Sequence, residues 1–176
     1  TATPAADGNS TPTASASMTR EEAVKQATSA FKDFGEQLKA HLQTAISEGG
    51  PVNAVKVCHE VAPKLAEETS SKLGFQMGRS SHRLRNPSNA PLTPVEKYLS
   101  QYAKAGSAPP VEAYQDGTSW VVVAPIVTQP MCLTCHGDPK TFSPELTQAL
   151  KKNYPQDQAT GFAAGDLRGV FWAKLP

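Results

Sequence analysis

Apolar residues near the start of the chain recur at three- and four-residue steps: Val24, Ala27, Phe31, Phe34, Leu38, Leu42 and Ala45. That period belongs to a helix that buries one face, and it predicts a long N-terminal amphipathic helix. Thr19-Arg20-Glu21-Glu22 supplies a capping box at its start, and Gly49-Gly50 supplies its stop. Pro51 opens a second helical pattern with Val52, Val55, Cys58, Ala62 and Leu65 on one face. Pro63 lies inside that pattern and leaves the carbonyl of His59 without its donor, which predicts a kink one turn after Cys58. On a regular helix His59 points about 100° away from Cys58, so the two do not face one point.

After Gly74 the pattern changes. Residues 75–81 have the length and flanks of a strand, weakened by Gly78. Residues 82–91 form a polar loop punctuated by prolines. Thr93-Pro94-Val95-Glu96 gives a second capping box and a short helix to about residue 104. Residues 111–114 and 120–127 read as strands joined by a turn at Asp116-Gly117. Ser143-Pro144-Glu145 starts a last helix that ends in Lys151-Lys152, and a final strand runs over residues 167–174. Residues 1–17 are Ala, Ser, Thr and Pro with one charge and no aromatic, which predicts a mobile tail or tether. Residues 18–176 then make one domain, long enough for its own core.

Charge and hydropathy remove some functions. Seventeen Lys and Arg stand against 16 Asp and Glu, with no basic stripe, so no nucleic-acid partner is expected. The longest apolar run, 120–127, is too short to span a bilayer as a helix. Cysteine adds more: there are 3, an odd number.

Two of those cysteines lie in Met131-Cys132-Leu133-Thr134-Cys135-His136-Gly137. CxxCH is the attachment signature of c-type haem. Each thiol adds across one vinyl group, and His136 follows the second thioether, where its imidazole reaches the iron. One covalent haem c through Cys132 and Cys135, with His136 as iron ligand, is therefore the expected cofactor. Two rivals exist: a thioredoxin-like pair, for which the flanking sequence lacks a βαβ pattern, and a zinc site built from Cys58, Cys132, Cys135 and a histidine. Haem c is attached outside the cytoplasm, and the chain starts at Thr1 without a signal pattern. Export to a periplasm, with the signal peptide removed, is thus expected. The second axial position stays open on residue chemistry alone, among Cys58, Met77, His59, His82 and a water-bound site. Met77 leads, because His/Met pairs are common in c-type cytochromes. His41, beside the long helix's apolar face, reads as a boundary residue. Arg79, Arg83, Arg85 and Arg168 are candidates for the haem propionates, because guanidinium binds carboxylate in two-pronged fashion. Trp120, Trp172, Phe162 and Tyr154 are candidate pocket walls.

Longer motifs carry a resemblance. They are Val57-Cys58 with Val61-Ala62-Pro63, Arg85-Asn86-Pro87 with Asn89-Ala90-Pro91, and Pro125-Ile126-Val127 ahead of the CxxCH motif with Gly137-Asp138-Pro139. Tyr154-Pro155 with Asp157, Ala159-Thr160-Gly161-Phe162 and Gly165-Asp166-Leu167-Arg168-Gly169 follow in the same order. Over residues 20–174 the chain resembles the PAS-like c-type haem domains, often called haem-sensor domains. The resemblance implies an α+β fold, a PAS-like antiparallel sheet flanked by helices. It also implies one haem held by the motif histidine and a cysteine from the helical segment, which matches Cys58 here.

Three functions follow as expectations. A redox or gas sensor would signal through a separate partner, and a homodimer through the N-terminal helix offers one route. A stand-alone electron carrier would need a redox partner protein, and a low potential is expected from a thiolate ligand. A peroxidase-like enzyme would need distal acid–base groups, for which His82 with Arg83 is the one suggestive pair. A periplasmic single-haem redox protein leads, with carrier and sensor balanced.

Overall fold

The computed structural model describes residues 17–104 and 108–176, so the expected tail, Ser17 apart, lies outside the described residues. Helix α1 (Arg20–Lys56) begins on the predicted capping box, with the Thr19 hydroxyl accepting from the Glu22 amide and Glu22 accepting from the Thr19 amide. Gly49 and Gly50, expected as its stop, leave helical geometry and kink it, and the helix resumes through Pro51 to Lys56. Among the described residues no helix is long and apolar enough to cross a membrane.

At the predicted kink the chain does something more specific. Val57–Val61 form a π-helical turn before α2 (Ala62–Leu73), and the Ala62 amide donates to the Val57 carbonyl. Pro63 has no N–H to give to His59, so the chain widens into five-residue spacing here instead of simply bending. Helix α2 stops at Gly74 in left-handed conformation.

Strands β1 (Gln76–Ser80), β2 (Glu112–Asp116), β3 (Ser119–Val127) and β4 (Leu167–Leu175) build an antiparallel sheet in the order β1-β4-β3-β2. The fold is therefore α+β, a four-stranded antiparallel sheet with helices on both faces. Alternation along β3 shows why: Val122 and Ala124 join the core under α1, while Val121 and Val123 join the core under α3 (Thr93–Tyr102). Against α1, Phe171 of β4 stacks on Phe31 at 5.6 Å and meets Phe34 edge-on at 5.9 Å. Gly78, the residue that weakened β1 as a prediction, lies opposite Trp172, and a Cβ there would come within 3.0 Å of the indole. The glycine is room for the tryptophan.

One local reading needs correcting. Thr93 is the first helical residue of α3 and Leu92 is the cap, with no side-chain capping bond. Proline after Thr93 fixes the second helical position and shifts the start by one, so the Thr-Pro-Val-Glu run makes no capping box. Helix α5 (Pro144–Asn153) does start as read, with the Ser143 hydroxyl accepting from the Leu146 amide.

Candidate functional site

A cleft of about 370 Å³ runs along the edge strand β1, walled by Ala62, Ala66 and Ser70 of α2 and by Trp172. It continues into a smaller apolar lobe of about 120 Å³ between α1, α5 and the CxxCH segment. Six residues line both lobes: Cys58, Arg79, Arg85, His136, Tyr154 and Arg168. The main lobe lies within the size range of cofactor sites.

The CxxCH segment is a compact hook. A 3₁₀ turn at Pro130–Cys132 passes into the single helical turn α4 (Leu133–His136), and the Gly137 amide closes it on the Leu133 carbonyl at 2.9 Å. Spacings of three and four on a helical turn bring Cys132, Cys135 and His136 to one side. Gly137 is required by close approach, since a Cβ there would lie 2.6 Å from the Leu133 oxygen. Just upstream, β3 changes register with β4 between Ile126 and Val127, an irregularity that turns the chain out of the sheet.

His136 is held by a second segment. Its Nδ1 lies 2.7 Å from the Ala159 carbonyl oxygen, which only accepts, so Nδ1 carries the proton and Nε2 keeps its lone pair. The same segment grips the hook by its backbone: the Gly161 amide donates to the Gly137 carbonyl and the Phe162 amide to the His136 carbonyl. Burial, then the nearby Arg168 and Arg85 cations, push His136 well below the ordinary histidine range, so the ring is neutral. Burial likewise pushes the Cys135 thiol up to about 11.

The four arginines divide into two kinds. Arg85 is spoken for: Nε pairs with Asp157 at 3.0 Å, and Nη2 donates to the carbonyls of Cys135 and Ala159. Arg83 is engaged in part: its Nη1 donates to the Thr160 carbonyl at 2.8 Å while its guanidinium lies 3.6 Å over the Phe162 ring. Arg79 and Arg168 differ. Neither makes an ion pair among the described residues, and the buried Nε of Arg168 has no hydrogen-bond partner. Burial lowers both, Arg168 to about 10, and each is lowered or raised by groups of this cleft: Arg79 acts on Arg168, and a Cys58 charge would raise both. Two cations facing a cavity without counter-charge make a receptor for a dianion.

Cys58 sits on the π-helical turn, half-buried, in the wall of both lobes. Tyr154 shares that wall, and burial first, then Cys58, raises its hydroxyl above the ordinary range. Met77 is buried and lines only the β1 lobe, which His136 also lines, and not the lobe of Cys132 and Cys135. His59 is exposed, with its ring edge-on to Tyr154 at 5.2 Å. His82 is exposed, packs against Phe162 at 5.9 Å and does not line the cleft, so the distal pair imagined with Arg83 is not assembled. His41 is exposed on the outer side of α1. Trp172 and Tyr154 do wall the cleft, and Phe162 packs against His136 at 6.3 Å. Trp120 is elsewhere, donating to the Met18 carbonyl at 2.9 Å. The zinc alternative lacks its donors: among the described residues no three His, Cys, Asp or Glu side chains converge. The thioredoxin alternative lacks its parallel sheet.

Sequence reasoning gave Asp157 and Ala159 no role. Asp157 was visible as a charge inside a shared motif, but Ala159 acts through its backbone oxygen, and no side chain announces that.

Comparison with known proteins agrees with this architecture. The fold matches the crystal structure of the cyanobacterial haem-protein Tll0287, with a TM-score of 0.68 and 24% identity. The match covers 90% of this chain and 97% of that one, and at this identity it is a likeness of fold. No curated protein matches the chain. A family model does, over residues 10–176, and on that match the chain belongs to the Tll0287-like family.

Proposed function

We propose that the cleft holds one haem c, bonded through Cys132 and Cys135, and that the protein is a periplasmic single-haem redox protein. The observation that carries this is the setting of His136. Its Nδ1–H is spent on Ala159, and its Nε2 lone pair is left for a cleft that Cys58, Arg79 and Arg168 also line. The donor set fits the group: two thiols at attachment spacing, one neutral imidazole, one further sulfur and two cations without counter-charge, matching two propionates. The structural relative is described as a haem protein, which agrees with this reading. The PAS-like description of the fold belongs to the same proposal.

When bound, the haem supplies a one-electron iron couple. The chain's own residues set its character. Cys58 as thiolate is a strong charged donor that favours ferric iron, so the potential lies well below that of a His/Met cytochrome. Arg79 and Arg168 would hold the group by its carboxylates, and Tyr154 and Trp172, in the cleft wall, would exclude water from it. Electron transfer to a partner protein and redox or gas sensing both use this site. The π-helical turn under Cys58 is the observation that keeps sensing in view, since such turns concentrate at functional sites.

Acid–acetone extraction should leave the haem on the protein. Cys58→Ala should change the ferric spectrum and raise the potential while the haem stays attached. Colourless wild-type protein would end the haem reading; an unchanged spectrum and potential in the variant would end the role of Cys58 and move the search to Met77. Loss of the Cys58 sulfur on reduction, with carbon monoxide then taking its place, would favour a sensor, and a sulfur retained in both states a carrier.

A further inference from the structure

The Ala159 carbonyl oxygen receives two donors. His136 Nδ1–H lies 2.7 Å from it, and Arg85 Nη2 lies 3.1 Å from it. Arg85 is fixed there by a nearly buried pair with Asp157, whose second oxygen accepts from the Ala159 amide at 2.8 Å. Arg85 also holds the Cys135 carbonyl, one residue before His136. A single side chain therefore ties the attachment hook to the oxygen that orients the imidazole.

A carbonyl that already accepts from a cation has less electron density to offer a second donor. It pulls less on the His136 proton, and the imidazole keeps less anionic character at Nε2. A less anionic imidazole is a weaker donor and stabilises ferric iron less. The guanidinium charge acts in the same direction, because ferric iron is the more positive state.

We infer that Arg85 is a positioning residue that sets the donor strength of His136 through the Ala159 carbonyl, and that it holds the iron couple at a higher potential than the ligand set alone would give. This rests on the haem proposal. The role is distinct from propionate binding, because it uses Nε and Nη2, which hold Asp157, Cys135 and Ala159, and not Nη1.

The experiment is a potentiometric titration of the intact haem-loaded protein, wild type against R85Q, D157N and R83Q. R85Q should shift the ratio of reduced to oxidised protein at a fixed poise about tenfold toward oxidised, a fall of about 59 mV for a one-electron couple. D157N should move the potential upward, because it leaves the Arg85 charge without its anion. R83Q removes a comparable charge from the same loop without touching Ala159, and should shift the potential less than R85Q. A purely structural role would move R85Q and D157N in one direction, and that result overturns the inference, as does an R83Q shift equal to that of R85Q. If R85Q does not fold, R85K replaces it: the charge remains but the fork onto Ala159 and Asp157 is lost, and a fall smaller than expected for R85Q is still required. Wild-type protein without covalent haem would refute the functional proposal instead, and the two failures are thereby separate.

Discussion

The inner sheet and the cleft are built by opposite rules. In β3 and β4 the pairing runs from Trp120 with Leu175 to Ile126 with Gly169 without interruption, and side chains alternate between two apolar cores. Along the cleft, regular geometry fails at each step. A π-helical turn carries Cys58, a register shift follows Ile126, a 3₁₀ turn precedes Leu133, and the Arg168 Nε is buried without a partner. The sheet repeats one physical demand along its length, whereas the cleft holds a buried donor without a partner, a cost that the proposed haem would offset. Stability and chemistry are thus weighted toward different residues, with Leu38, Ala62 and Met77 shared between core and cleft, and substitutions outside that shared set should separate them.

The strongest separation is expected from Phe31→Ala. Phe31 is buried and stacks on Phe171, so its removal leaves a cavity between α1 and the sheet. The loss should be about 3–5 kcal/mol in denaturant titration, with the haem spectrum of the folded protein unchanged. A changed spectrum at full folding would show that the core and the cleft are coupled.

Arg168→Met sharpens the comparison from the other side. Without haem, the variant removes a buried unpartnered donor and should unfold later than wild type, by about 1–3 kcal/mol. With haem attached, it removes the proposed propionate partner, and the order of stability should reverse. Equal effects in both forms would mean that Arg168 faces no anion, and the same pair of measurements on Arg79→Met tests the other cation.

The division also explains what could be read in advance. Strands and helices of the sheet layer announce themselves by period, because each buried residue repeats the same physical demand. The CxxCH motif stood out as clearly, since its spacing is chemical and local, but the hook it folds into did not. The π-helical turn was visible only as a proline that had to disturb a helix; how the chain would accommodate Pro63 depends on what packs around it. Four arginines had the same sequence status, yet Arg83 and Arg85 donate to carbonyls of residues 135, 159 and 160, while Arg79 and Arg168 do not. Nothing local distinguishes them, because the partners are backbone oxygens 50 to 77 positions away. Thr93 failed for the opposite reason: a motif was complete in sequence, but the helix began one residue earlier than the motif required.

The smallest effect belongs to the far end of α1. Thr19 caps that helix, and Glu22 reaches back to the Thr19 amide at 2.8 Å. Thr19→Ala should cost about 1 kcal/mol, measured as a lower denaturation midpoint. The Glu22 carboxylate is held below its ordinary value of 4.5, first by the Thr19 backbone bond and then by the Thr19 hydroxyl. A folded-state value below the unfolded one means that the ionised carboxylate stabilises the folded state. That contribution is complete above pH 4.5 and is lost as pH falls through the lower, folded-state value. Glu22→Gln keeps a group that can accept from the same amide but cannot titrate. Wild type should therefore be the more stable of the two at neutral pH, and the gap should close on acidification past 4.5. The haem spectrum of both should stay the same throughout the folded range, because neither residue lines the cleft. A gap that does not change with pH would remove Glu22 from the cap, and a spectrum that follows it would join this end of the helix to the site.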